Sequence, residues 1–186
     1  MKTTIGLTVL TVLSSGCATT IQAGADFAPG VDLNRFSSFT WAEPDERPVG
    51  DPRLENNPFF VQRLHDAIEW ELATRGIRFD EANPALTVHH HATVRERIDV
   101  YAADRDAGYT SAEYGEGTHV TQFAEGTFLV DIADAATDEI LWRGWAQLDI
   151  GAALGDPERM REQVDEALRR MFVGFPVTRG VVAPAR

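Results

Sequence analysis

The chain has 186 residues, of which 44% are hydrophobic and 25% are charged, so it can bury the core of one domain. Its 29 acidic residues outnumber its 17 basic residues, and the formal net charge of −12 argues against nucleic acid and anionic lipid headgroups as partners. The only lysine is Lys2, which excludes chemistry that depends on a Schiff-base lysine or a phosphate-loop lysine.

Residues 1–16 have the layout of a secretory signal peptide. Lys2 gives a short positive start, residues 5–13 are apolar but too few to span a bilayer, and residues 14–16 are small. Cys17, the single cysteine, follows directly. The stretch LSSGC resembles the lipobox of bacterial lipoproteins, although Ser14 stands where leucine is usual. The resemblance implies that Cys17 begins the mature chain and carries diacylglycerol and palmitate. A plain secretory signal is the alternative.

The residue after Cys17 also implies a location for the lipidated protein in the cell. Ala18 follows the cysteine instead of aspartate, which in lipoproteins resembling those of enteric bacteria implies the outer membrane, with the domain on its periplasmic face. Residues 17–30 are small and polar, and we expect them to form a lipidated tether. Without residues 1–16 the net charge becomes −13, because Lys2 is the only charged residue among them.

The first predicted elements of the fold are a strand and a helix. A strand of about six residues ends at Trp41. Residues 43–57 are rich in proline and charge and predict a loop. Asn57 then suits a helix N-cap, with Pro58 in the first helical position and Gly76 as the C-terminal stop. The apolar face of this helix consists of Phe60, Leu64, Ala67, Ile68 and Leu72.

A long strand is predicted over residues 85–100, and a long loop over the aperiodic stretch from Asp99 to His119. Tyrosines give contact area and a hydrogen bond at low entropic cost, so those of the loop are candidate partner contacts. They are Tyr101, Tyr109 and Tyr114. The alternative is that this loop is variable and has no function. The binding surface would then be the outer sheet face that carries His89, His91 and Trp145.

Residues 123–150 predict a hairpin of two long strands. Phe128, Val130 and Ile132 alternate with more polar residues, and the second strand alternates in the same way around Trp142. The polar linker from Asp134 to Glu139 forms the turn. Arg143 is expected to pair across the sheet with Asp131 or Asp149.

A second amphipathic helix begins with Asp156 as N-cap and stops at Gly174, and residues 179–186 form a loose tail. Residues 31–178 therefore predict a single α+β domain. We expect a two-layer sandwich in which both helices cover one face of a mainly antiparallel four-stranded sheet, in the order β-α-β-β-β-α.

Several blocks of the sequence together resemble a family of bacterial lipoproteins known as domain of unknown function 4136. They are VDLNRFSSFTW, GIRFDEANPALTVHHHATVRERIDV and EGTFLVDIADAATDEILWRGWA, in that order along the chain. Two residues depart from the family pattern: Ala85 stands where aspartate is common, and Asp138 stands where glycine is common in the turn. Aspartate can occupy a left-handed conformation, but less easily than glycine. The resemblance implies an envelope lipoprotein and carries over no activity.

Three histidines are candidate metal ligands. His89 and His91 share one face of a strand, and a third ligand could come from His119, Asp131 or Glu125 on a neighbouring strand. Zinc needs three or four convergent ligands, so solvent-exposed histidines on a sheet are the alternative.

The sequence contains no catalytic constellation, and no cofactor is expected. We therefore predict a non-enzymatic periplasmic binding domain, held on the membrane by its lipid, whose partner is another envelope protein or a glycan. A small metal-binding protein or enzyme that uses the sheet-face histidines is the alternative function. The oligomeric state does not follow from the sequence.

Overall fold

The computed structural model describes residues 20–43, 51, 54, 57–102 and 118–177, with the side chains of 97–102 and 118–122 excepted. These residues form two α-helices and six strands, besides short 3₁₀ turns at Leu33–Arg35 and Phe172–Gly174. In chain order the elements are β1 (Ile21–Phe27), β2 (Ser38–Trp41), α1 (Pro58–Ala73), β3 (Arg78–Phe79), β4 (Leu86–Ala102), β5 (Thr118–Asp134), β6 (Ile140–Asp149) and α2 (Pro157–Met171).

The six strands form one mixed sheet in the order β1-β6-β5-β4-β2-β3. The first four of these strands are antiparallel to their neighbours, whereas β4, β2 and β3 run parallel. The predicted mainly antiparallel, four-stranded sheet is therefore wrong, although the chain is α+β. β1 was assigned to the tether because its residues are small, and β3 has two residues, too few to show a period.

The prediction for the residues before the domain also needs correction. The sequence assigned 17–30 to a tether, but Ile21–Phe27 are paired with Leu148–Trp142 of β6. This pairing closes between residues more than a hundred positions apart, so no local pattern reveals it. β1 begins four residues after Cys17, and residues 1–19 lie outside the described part of the chain.

Both helices begin where the sequence predicts. The Asn57 side chain accepts hydrogen bonds from the backbone N–H groups of Phe59 and Phe60, at 3.1 and 3.3 Å. Asp156 caps α2 in the same way, with both distances at 3.1 Å. Each cap satisfies N–H groups that a helix start otherwise leaves unpaired. Neither helix, nor any other helical segment among the described residues, is long and apolar enough to cross a membrane.

One hydrophobic core joins the helices to the inner face of the sheet. The ring of Phe60 in α1 lies 5.7 Å from that of Phe128 in β5. Trp142 in β6 is fully buried, 4.7 Å from Phe172 at the end of α2. Both helices therefore cover the face that bears Phe128 and Trp142, and the opposite face is left without a described helix.

β4 and β5 form a hairpin longer than predicted. Their pairing continues to Ala102 opposite Thr118, so both ends of the predicted loop from Asp99 to His119 are strand. Tyr101 lies in β4, while Tyr109 and Tyr114 lie outside the described residues. The sequence missed this extension because the alternation of apolar residues weakens beyond Val100.

Candidate functional site

The face of the sheet turned away from the helices, here called the outer face, is the broadest described surface without a helix over it. Apart from the buried Asp131, its residues are half-buried or exposed, whereas their inner-face neighbours on the same strands are mostly buried. The outer face comprises Gln22, Gly24, Asp26, Thr87, His89, His91, Thr127, Leu129, Asp131, Arg143, Trp145 and Gln147. Four paired strands hold these side chains, which makes the surface rigid.

An ion pair lies at the centre of the outer face. Asp131 in β5 stands opposite Arg143 in β6. The Arg143 Nε and Nη2 atoms donate to the two carboxylate oxygens of Asp131, both at 2.6 Å. This two-pronged geometry is the strongest form of the arginine–carboxylate pair, and it raises the pKa of Arg143. The predicted pairing of Arg143 with Asp131 is confirmed.

Trp145 lies flat on the outer face, over the edge strand. A Cβ atom built on Gly24 of β1 would lie 2.9–3.0 Å from the indole atoms Cζ2, Cε2 and Nε1. Contacts that short do not occur, so a side chain at position 24 would lift the indole off the sheet. Glycine at position 24 thus allows the half-buried Trp145 to rest against the backbone.

His89 and His91 both lie on the outer face, as the alternation of β4 predicts, and both are half-buried. The structure does not bring His119 to them. His91 is opposite Leu129 and His119 is ten residues further back along β5, opposite Tyr101. Ten residues of strand span about 33 Å. Asp131, opposite His89, is already paired with Arg143. Among the described residues no group of three or more metal-ligand side chains is close enough to hold an ion.

A cavity opens at the end of the outer face where β1 begins. It has a volume of about 170 Å³. The lining residues are Thr20, Gln22, Phe123, Glu125, Gln147, Leu148 and Asp149. Pockets that enclose a drug-sized ligand usually measure about 300–1,000 Å³. This cavity is therefore a recess of the outer face rather than an enclosed substrate pocket.

A second cluster, which the sequence did not single out, lies between the sheet and α1. The indole of Trp41 stacks on the imidazole of His65 at 3.8 Å, and its Nε1 donates to Glu69 at 3.2 Å. The ring of His90 stands perpendicular to that of His65 at 4.8 Å. Burial and the neighbouring histidines lower the pKa of His90 to about 4, and burial also lowers the pKa of His65.

The signal for the inner cluster was present in the strand alternation. In a strand His90 must point opposite to His89 and His91, and residues 88 and 92 on its face are apolar. The partner histidine, however, comes from a helix 25 positions earlier, and the sequence gives no indication of that contact.

One known family matches nearly all of the described fold. Residues 24–177 match the family described as "Domain of unknown function (DUF4136)". The chain belongs to this family. The match covers all six strands and both helices apart from the first three residues of β1. It confirms the resemblance of the sequence blocks to this family, and the family description assigns no activity.

The chain is also similar to solved structures, at low identity. A PDZ domain protein from Parabacteroides distasonis is 17% identical, with a TM-score of 0.52. The similarity covers 88% of this chain but 37% of that protein, so the chain spans little more than a third of its length. At this identity the likeness concerns the fold alone.

Two crystal structures of the PelC dodecamer from Paraburkholderia phytofirmans also match. Each is 10% identical and covers 83% of this chain and 97% of PelC, with TM-scores of 0.41 and 0.42. No curated protein matches the chain. The outer face, the ion pair and the two histidine positions must therefore be interpreted from their own chemistry.

Proposed function

We propose that this DUF4136 domain is a lipid-anchored binding domain on the periplasmic face of a bacterial outer membrane, and that it binds another envelope component through its outer face. The sequence motif LSSGC, which ends at Cys17, supports the anchor. The proposed role is non-enzymatic, and the partner is an envelope protein or a glycan.

The outer face is the observation that supports binding most strongly. Both helices pack on the opposite side of the sheet, which leaves a rigid surface that combines Trp145 and Leu129 with His91 and the Arg143–Asp131 pair. Binding surfaces are commonly built in this way, with an aromatic anchor among polar groups whose hydrogen bonds are already partly satisfied.

The anchor has a geometric consequence for the domain. β1 begins four residues after Cys17. Four extended residues reach at most about 14 Å. A lipid on Cys17 would therefore hold the edge of the sheet close to the membrane, rather than at the end of the longer tether that the sequence predicted.

Cys17→Ser tests the anchor. Multiple acyl chains hold a protein firmly on a membrane, so the wild-type chain is expected in the membrane fraction after a high-salt wash, and in the outer membrane on a density gradient. The variant is expected in the soluble periplasmic fraction. A variant that stays with the membrane after the wash would show that the lipid is not the anchor.

Photocrosslinking in cells tests the binding surface. A photoreactive amino acid is placed at Trp145 or His91 on the outer face, and at Gln62 on the exposed side of α1 as the matched control. We expect discrete crosslinked species from the first two positions and none from the third. Crosslinks that arise equally from position 62 would contradict the outer face as the binding surface.

A further inference from the structure

The edge strand β1 has one side that pairs with no other strand among the described residues. β1 is the first strand of the sheet and pairs with β6 on its other side. Its sequence, IQAGADF, contains one charge and no proline or lysine. Proteins commonly use charges, prolines or bulges to keep an edge strand from pairing with another chain. β1 carries few of these protections.

The hydrogen-bond pattern shows which backbone groups face outward. The N–H of Ala28, just after β1, donates to the Leu141 carbonyl at 2.9 Å. Bonding alternates along an antiparallel pair, so the even-numbered residues of β1 bond to β6 and the odd-numbered ones face away from it. Arg170 of α2 agrees with this assignment, because its Nη1 donates at 3.0 Å to the outward carbonyl of Ile21. The outward backbone groups belong to Ile21, Ala23, Ala25 and Phe27.

We propose that β1 pairs with β1 of a second copy of this chain, antiparallel and centred on Gly24. The strand is self-complementary about that residue. Ile21 then lies opposite Phe27 of the second copy, and Ala23 opposite Ala25, so the outward backbone groups meet each other. Each such pair exchanges two hydrogen bonds. The Ile21 carbonyl oxygen has two lone pairs, so it can accept from Phe27 of the second copy as well as from Arg170. The resulting sheet runs through both copies without a break.

The side chains fit the same register on both faces. On the inner face apolar residues meet apolar residues, and the small Ala23 and Ala25 lie at the centre. Phe27, which is 44% exposed in the single chain, gains Ile21 of the second copy as a neighbour. On the outer face Gln22 lies opposite Asp26, so the amide can donate to the carboxylate and no like charges face each other.

The helices above the junction also permit the approach. α2 lies over β1, as the hydrogen bond from Arg170 to Ile21 requires. On its exposed side Glu166 bonds to Arg169 and Arg170, at 2.7 and 2.6 Å. In the proposed dimer the α2 helices of the two copies thus face each other with side chains of both charge signs. The net charge of each copy is strongly negative, so repulsion opposes pairing and added salt is expected to strengthen it.

Disulfide trapping tests the register. In the Cys17→Ser background, one chain carries Gln22→Cys and another carries Asp26→Cys. In the proposed register these positions form a non-hydrogen-bonded pair with Cα atoms about 4.5 Å apart, which a disulfide can bridge. Two copies of the same variant place their cysteines about 13 Å apart. We expect the mixture to form a disulfide-linked dimer under mild oxidation, and each variant alone to form none.

A third chain with Gln147→Cys on β6 is the control, because β6 is one strand removed from the junction. Mixed with the Asp26→Cys chain, it is expected to form no linked dimer. Equal crosslinking in every combination would indicate random collision, and no crosslinking between positions 22 and 26 would exclude the register. Either result overturns the proposal.

Sedimentation of the unlinked chain gives an independent measurement. The Cys17→Ser chain is expected to show a monomer–dimer equilibrium that shifts toward the dimer as salt is raised. Ala25→Pro removes an outward N–H and leaves the groups that bond to β6 in place, so it is expected to weaken the dimer at least tenfold. Ala25→Val retains the N–H and is the matched control. A chain that stays monomeric at every salt and protein concentration overturns the proposal.

Discussion

At the scale of single residues, the turn between β5 and β6 depends on one unfavourable backbone conformation. Asp138 has φ +58°, and among the described non-glycine residues no other has a positive φ. The Asp134 side chain holds the turn, because its Oδ1 accepts from the N–H groups of Ala136 and Thr137 at 2.9 and 3.3 Å. Glycine is usual at this position in the family, and the structure shows that Asp138 occupies the left-handed conformation that glycine adopts more easily.

Asp138→Gly is expected to raise the free energy of unfolding by about 0.5–1 kcal/mol, because glycine adopts the left-handed conformation without a steric cost. Ala136→Gly is the matched control: it adds the same flexibility to the unfolded chain without relieving strain, and is expected to lower stability by about 0.4–1 kcal/mol. Urea denaturation measures both. If Asp138→Gly loses as much stability as the control, the backbone at Asp138 is not strained.

The half-buried pair of His65 and His90 makes stability depend on pH. The pKa of His90 is lowered to about 4, from an ordinary value of 6.5, chiefly because burial disfavours its charged form. Between these values the unfolded chain binds the proton and the folded chain does not, so acidification favours unfolding. The contribution of His90 is fully present above pH 6.5 and is lost as the pH falls toward 4.

We therefore expect the wild-type melting temperature to fall on acidification from pH 6.5 to 4, and His90→Gln to reduce this dependence. The outer-face variant Thr87→Ser, which removes no ionisable group, is the control and is expected to keep the wild-type slope. If the melting temperature depends on pH to the same extent in all three proteins, folding does not lower the pKa of His90.

At the scale of elements, β6 and α2 approach closely at Gly144. A Cβ atom at this position would overlap the Trp142 ring and the Met171 side chain, which leaves no room for a methyl group. Strand propensity alone would favour a larger residue here. Glycine at position 144 thus reflects the closeness of the helix, which the sequence of β6 does not reveal.

Gly144→Ala is expected to destabilise the domain by about 1–3 kcal/mol through overpacking. Gly155→Ala is the control, because a Cβ atom there meets nothing within 4 Å. Thermal unfolding of the two variants should differ clearly. If Gly144→Ala unfolds at the wild-type temperature, α2 cannot lie as close to β6 as the structure places it.

The amphipathic pattern of α2 was correctly predicted. Leu168 and Phe172 are fully buried, whereas the Arg169 side chain is 58% exposed. Leu168→Ala is expected to cost about 2–5 kcal/mol, because it leaves a cavity in the core. Arg169→Ala is expected to cost about 0.5 kcal/mol or less, since its ion pair with Glu166 is exposed to solvent. Similar losses in chemical denaturation would contradict the placement of this helix face.

At the scale of the whole molecule, the β4–β5 hairpin extends beyond the rest of the sheet. Pairing between β5 and β6 stops at Glu125 opposite Asp149, while β4 and β5 remain paired as far as Ala102 and Thr118. Of the candidate contact tyrosines, Tyr101 thus lies in the part of β4 that pairs with β5 beyond the end of β6. Tyr109 and Tyr114 follow β4 in the sequence. Their role in partner contact stays a prediction.

Replacing residues 103–117 by a short glycine–serine linker separates the two candidate binding surfaces. The melting temperature is expected to change little, because the free energy of loop closure depends weakly on length. With the outer face as the binding surface, crosslinks from position 145 should persist. Their loss, in a variant that melts normally, would assign binding to the segment that contains Tyr109 and Tyr114.

The sequence by itself determined those features that depend on neighbours along the chain. Caps at Asn57 and Asp156 and a helical period located both helices, and strict alternation located the β5–β6 hairpin and the Arg143–Asp131 pair. These signals are local, because a helix or hairpin is formed by residues close in sequence. The family could also be inferred from the order of its blocks.

The tertiary structure alone decided the rest of the sheet and the environment of each histidine. β1 and β3 are strands because β6 and β2 provide their hydrogen bonds, and neither has a local period that predicts this. The same holds for His90, which meets His65 only because α1 packs against β4. Pairing between distant residues leaves little trace in the local pattern, because it depends on which surfaces the core brings together.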